Sequence, residues 1–131
     1  METNLLSKED SIRAALKALK IKRPLRAEEI CRDYLAMSPG CADHLRLLAH
    51  ALQQQNRLDE AEKQLRFALS IKPNFPHLHE DLGSVLALQQ RYEEAISSLE
   101  QAIQLDPTQA MAHKKLAQAL AMVGRGEHAD Q

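Results

Sequence analysis

The chain has 131 residues, with 17 basic and 18 acidic side chains and a formal net charge of −1. That length suits one domain, and the even charge balance gives no general pull toward nucleic acid or an anionic membrane. A hydrophobic fraction of 44% allows a packed core, but aromatics at 3% and the absence of tryptophan leave leucine and small residues to fill it.

Alanine, leucine, glutamine, glutamate and lysine dominate, and all favour helix. No apolar segment approaches the roughly 20 residues that cross a bilayer, and the N-terminus lacks a basic stretch followed by an apolar run. Cys31 and Cys41 fit no CxxC or Cys/His ligand pattern. Two reduced, packing thiols in a cytoplasmic protein are expected.

Three prolines, Pro39, Pro73 and Pro107, recur at intervals of 34 residues. Twelve residues before each stands Ala27, Ala61 or Ala95, and eight before each stands Cys31, Leu65 or Leu99. A period of this length marks an array of helix pairs. A proline closes each pair by disfavouring helical geometry at the residue before it.

In chain order, the first helix is predicted over about 8–21, with Ser7 as N-cap and Asp10 three residues on. Leu5 and Leu6 would pack on the end of the array, as a terminal repeat needs. Kept in the strict 34-residue register, this helix buries only Ala14, Ala15 and Ala18, and it exposes Ile12, Leu16 and Leu19. Sliding by one residue buries Ile12, Ala15, Leu16 and Leu19. The slid register is therefore expected, with a turn one residue shorter than elsewhere near Lys22-Arg23-Pro24. The second helix carries Leu25, Ala27, Cys31, Leu35 and Met37 up to Pro39-Gly40.

Further helices are predicted over about 41–55, 58–71, 75–89, 92–105 and 109–123; in the first of them Leu45, Leu48, Ala49 and Leu52 stand at i, i+3, i+4 and i+7, one face of a helix. The acidic pairs Asp59-Glu60 and Glu93-Glu94 open the fourth and sixth helices, where negative charge suits the helix dipole. Arginine recurs at Arg23, Arg57, Arg91 and Arg125. After the last of these, Gly126-Glu127-His128-Ala129 has the form of another helix start, and the next proline position, 141, falls ten residues past Gln131. The segment therefore reads as an excised part of a longer protein. Leu116, Leu120 and Val123 would lack a partner helix, and this bare face would suit a homodimer through the last helix.

Counted so that each closing proline is repeat position 32, the repeats resemble the tetratricopeptide repeat (TPR). The second repeat holds Leu45, Leu48, Ala49, Leu52, Ala61, Leu65, Ala68 and Pro73 at the marker positions. The third holds His79, Leu82, Gly83, Leu86, Ala95, Leu99, Ala102 and Pro107, and the fourth His113, Leu116, Ala117, Leu120 and Ala129. The consensus aromatics are replaced by leucine or histidine, and Tyr34 stands where the family has alanine. The resemblance implies an all-α, right-handed superhelix of stacked antiparallel helix pairs, about seven helices in one array. Its repeats would cover 8–41, 42–75 and 76–109, with a truncated one at 110–131.

It also implies a protein–protein interaction module that takes a partner segment in a concave groove lined by the first helix of each pair. The groove positions hold Arg46, His50 and Gln53, then His77, Glu80 and Ser84, then Lys114 and Gln118, with Met111 and Met122 among them. In the chaperone-binding carboxylate clamp of this family, the matching positions hold Arg46, His50, Asp81, Met111 and Lys115 here. Only Arg46 and Lys115 keep the charge, so that clamp is not expected. No catalytic role, cofactor, metal, nucleic acid or membrane partner is expected. His79 and His113 fall on structural positions, His77 and His79 diverge, and no HExxH, GxSxG or phosphate-loop motif occurs. A second reading makes the array an N-terminal substrate-positioning or dimerisation module of a larger bacterial enzyme. The stretch Leu116–Arg125 resembles TPR segments that precede sulfotransferase-type domains.

Overall fold

The computed structural model describes residues 6–129, and the side chains of 6–124. Seven α-helices and no strand occur among the described residues. The chain divides into two compact units, 1–72 and 73–131.

The first unit contains α1 (Lys8–Lys20), α2 (Pro24–Met37), α3 (Ala42–Gln54) and α4 (Leu58–Ile71). These form two hairpins, α1–α2 and α3–α4, and α3 packs on both helices of the first. Ser7 caps α1, its Oγ accepting from the Asp10 amide at 3.1 Å. Leu6 is exposed, and Leu5 lies outside the described residues. Ala27, Cys31, Ala49, Ala61, Leu65 and Ala68 are fully enclosed. The alanines and Cys31 among them let the two backbones of a hairpin approach, and a larger side chain there would push them apart.

The second unit contains α5 (Pro76–Leu88), α6 (Tyr92–Leu105) and α7 (Ala110–Ala129), with α7 packed on α6 and α5. α5 and α6 pack closely at Gly83. A Cβ there would lie 2.7 Å from Leu99 Cγ and 3.3 Å from the Ala95 carbonyl oxygen. Repeat position 8 thus faces positions 20 and 24 directly, which is why glycine stands there.

The first helix does not slide. α1, α3, α5 and α7 begin at 8, 42, 76 and 110, and α2, α4 and α6 at 24, 58 and 92, all on the 34-residue period. Ser11, Ala15, Ala18 and Leu19 are buried in α1, whereas Leu16 is 51% exposed and Ile12 only half-buried. The turn, not apolar content, sets the register. Lys22, Asn56 and Gln90 all take the left-handed conformation, with φ of 60°, 61° and 64°. The next amides, of Arg23, Arg57 and Arg91, donate to the carbonyls of Ala18, Leu52 and Leu86 at 2.8–2.9 Å. The three turns are the same length and close the same hydrogen bonds.

α7 also departs from expectation, running to Ala129 instead of ending near 123. Gly124 occupies the position of Lys22, Asn56 and Gln90, yet it is helical and has no positive φ. Continuing the helix satisfies the amides beyond it in ordinary i→i−4 bonds. The side chains of Arg125, Glu127, His128 and Ala129 lie outside those described.

Candidate functional site

In the first unit, α3 places Arg46, His50 and Gln53 on one side of the helix, all half-buried. On the helix start, His44 is fully buried and stacked on Tyr34, with ring centroids 3.8 Å apart and planes at 11°. Its Nδ1 lies 3.0 Å from Cys41 Sγ, and its Nε2 contacts Ser11 Oγ closely. Ser11 in turn donates to the Lys8 carbonyl at 3.2 Å. One proton arrangement satisfies every group. The Cys41 thiol donates to Nδ1, Nε2–H donates to Ser11, and Ser11 donates to the carbonyl. The imidazole is then neutral. Burial holds His44 below its ordinary value of 6.5, Asp43 pulls it up and Lys8 pushes it down. Nearby, burial and the neighbouring Cys41 push the Cys31 thiol up to about 12, which makes it an inert packing group. A cavity of about 310 Å³ opens beside this cluster, lined in part by Leu6, Ser11, Arg26, Asp33 and Tyr34.

The His44 cluster sets a pH dependence of stability. Because the folded value lies below 6.5, the unfolded chain takes up this proton first as pH falls. The contribution is intact above the ordinary value and is lost as pH falls through the folded one. Urea unfolding should show stability dropping between pH 7.5 and 5. His44→Phe, which keeps the stack on Tyr34, should show a flatter slope. An equal slope in both proteins would refute this account.

In the second unit, His79 Nε2 donates to the Pro73 carbonyl at 2.7 Å, and His113 Nε2 to the Pro107 carbonyl at 2.8 Å. Both rings tie the start of an A helix to the proline six residues before it, so the structural reading of these histidines holds. Among the described residues no group of His, Cys, Asp and Glu could hold a metal ion.

The expected binding residues of this unit separate into two sets. Lys114 and Gln118 on α7 are exposed, and Ser84 is half-buried with its Oγ donating to the Glu80 carbonyl at 3.2 Å. Glu80 is enclosed at 7% exposure. Its carboxylate accepts from Lys115 Nζ at 3.0 Å and lies 3.5 Å from Gln109 Nε2. His77, half-exposed, brings its Nδ1 to 2.8 Å from Gln109 Nε2 and 3.6 Å from Glu80. Glu80 therefore holds other side chains and is not itself open to a partner. Lys115, one of two charges retained from the chaperone clamp, is occupied by Glu80, and Asp81, in place of an amide, is buried.

Sequence reasoning missed the Ser11–His44–Cys41 chain and the Glu80–Lys115 pair. Tyr34, bulky where its counterparts Ala68 and Ala102 are small, was the signal for the first. Nothing in the spacing marked the second, whose members are 35 residues apart.

Antiparallel helix pairs on a 34-residue period, with small residues at each crossing and side chains offered by the first helix of each pair, define a helical-repeat interaction scaffold. Residues 12–82 match the family model described as tetratricopeptide repeat, and residues 83–124 match a second described as TPR repeat. The chain belongs to the tetratricopeptide repeat family. No curated protein sequence matches it. Among solved structures it is similar to the Thermobaculum terrenum O-GlcNAc transferase (mutant K341M), at 28% identity and TM-score 0.83 over 92% of this chain. The chain spans only 23% of that enzyme. The TPR domain of Sgt2 from Aspergillus fumigatus gives TM-score 0.86 at 14% identity, covering 100% of this chain and 90% of that one. The second TPR domain of human RPAP3, solved with an HSP70 peptide, gives TM-score 0.75 at 18% identity over 86% of this chain and 98% of that one. Among the described residues no helix is long and apolar enough to cross a membrane.

Proposed function

We propose that this protein is a non-enzymatic, cytoplasmic interaction module that binds a segment of a partner protein through its A helices. The observation that carries the reading is the set of apolar side chains exposed on α5 and α7 beside Lys114 and Gln118. Leu88 is 54%, Met111 52% and Met122 37% exposed. Unbranched methionines suit an irregular partner surface, and Lys114 suits an acidic residue in it. Within the second unit His77 and Ser84 on α5 are further contacts, with Glu80 held away from the partner by Lys115; in the first unit Arg46, His50 and Gln53 on α3 are the contacts that unit would offer. The peptide complex of the human RPAP3 domain supports the class of ligand, but the clamp positions here argue against a chaperone C-terminus. The likeness to one section of an O-GlcNAc transferase supports the second reading, a substrate-positioning or dimerisation module within a larger bacterial enzyme. The homodimer would bury Leu116 and Leu120.

Peptides selected from a displayed library against the chain provide the test. Arg46→Glu and Lys114→Glu should each weaken the selected peptides at least tenfold in fluorescence anisotropy. Unchanged affinity in both variants would overturn the A-helix assignment.

A further inference from the structure

One buried side chain of the second unit is only half satisfied. Gln109 is 7% exposed, and no donor among the described residues reaches its buried Oε1. A buried acceptor left open is rare and has a cause. The other end of the amide, Nε2, donates to His77 Nδ1 at 2.8 Å and lies 3.5 Å from Glu80 Oε2, at the limit of a hydrogen bond. The orientation of the amide therefore rests on one bond, which needs His77 Nδ1 without a proton. A proton on Nδ1 would set two donors against each other. The protonated ring has two acceptors to turn to: Glu80 Oε2, 3.6 Å away, and the unused Gln109 Oε1 after a half-turn of the amide. Nε2 then gives up its weak contact with Glu80, whose other oxygen keeps Lys115 Nζ at 3.0 Å.

Imidazole changes charge between about pH 5 and 8, and the His77 side chain, 49% exposed, is open to solvent. Three charged groups face it. Glu80 stands on its own helix, with Lys115 of α7 behind it. Asp106 lies in the turn before α7. Two hydrogen bonds from Thr108 hold Asp106 below its ordinary value, and the charge of His77 lowers it further. With His77 neutral, Glu80 and Lys115 cancel. With His77 protonated, the three carry one positive charge on the A-helix side of the unit.

We propose that His77 and Gln109 form a proton-operated switch, and that its protonated setting strengthens the hold of the second unit on an acidic partner segment. The binding half rests on the A-helix reading above, and the switch itself does not. In the neutral setting Gln109 donates to the ring. In the protonated setting the ring donates to Glu80 and to Gln109 Oε1, Lys115 stays on Glu80, and the added charge joins that of Lys114 toward the partner.

Two measurements on the full chain separate the halves. In nitrogen NMR at pH 7.5 the His77 ring should be protonated at Nε2 and bare at Nδ1. Between pH 7.5 and 5.5 the side-chain amide signals of Gln109 should shift with the same midpoint as the ring. A ring protonated at Nδ1 at pH 7.5, or amide signals that stay still while the ring titrates, would overturn the switch. For binding, the probe is a library-selected peptide whose affinity Lys114→Glu lowers. Its affinity should rise about threefold from pH 7.5 to 6.0, as one partly exposed charge pair allows. His77→Asn, which takes up no proton, should flatten that rise, and at so exposed a position it should melt close to the parent. An equal rise in both proteins would overturn the binding half. If no selected peptide depends on Lys114, the A-helix reading is what fails, and the ring and amide signals still decide the switch.

Discussion

Leu99→Ala should destabilise the second unit by about 2–5 kcal/mol, the range for emptying a buried leucine site. Leu99 is 1% exposed and lies against the Gly83 backbone where α5 and α6 pack. Gly83→Ala tests the same contact from the other side. In a helix interior that change would ordinarily gain about 1 kcal/mol. Here the new Cβ would sit 2.7 and 2.9 Å from Leu99 Cγ and Cδ2, and 3.3 Å from a carbonyl oxygen that cannot swing away. Overpacking of this kind costs about 1–3 kcal/mol, so a net loss of about 1 kcal/mol is expected. The double variant should lose less than the sum of the two, because the alanine methyl occupies part of the space that Leu99 vacates. Urea denaturation of the four proteins measures this. Strict additivity would mean that the two residues do not press on each other.

The same crossing shows how much of the fold was legible. Alanine or glycine at fixed points of a 34-residue period states where two backbones must meet, and each such point in the first three repeats is buried. The first helix was misread because its apolar residues were counted without the turn that follows. Lys22 carries no sequence mark of its left-handed conformation, since lysine is a poor residue for it. Yet its turn closes the hydrogen bonds of the Asn56 and Gln90 turns, and that holds Ser11 inward where the other repeats have leucine or histidine. A serine is tolerated there because His44 from the next repeat meets it. Polar pairings of this kind depend on side-chain reach across helices, which periodicity does not encode. Candidate contact positions can be listed from the sequence, while their electrostatics cannot. Glu80 and Lys115 look like two solvated charges until the packing of α5 against α7 brings them to 3.0 Å.

That pairing predicts an effect on stability and none on binding. Lys115→Met removes the main counter-charge of a carboxylate whose side chain is only 10% exposed, and the lysine itself is 26% exposed. Stranding a buried charge typically costs 3–5 kcal/mol, and Gln109 Nε2 at 3.5 Å offsets part of it. A loss of about 3 kcal/mol is expected, at the low end of that range. Adding Glu80→Gln to Lys115→Met should recover most of the loss, since two neutral groups replace a lone charge, whereas a purely steric role for Lys115 would leave the double variant as unstable as the single. The functional corollary follows from the geometry. Lys115 already neutralises Glu80, so the cation that α7 offers a partner is its neighbour Lys114. Measured where the variant remains folded, Lys115→Met should bind selected acidic peptides as the parent does, and Lys114→Glu should not. The opposite pattern would mean that the Glu80–Lys115 pair opens when a partner binds, and that Lys115 is the contact after all.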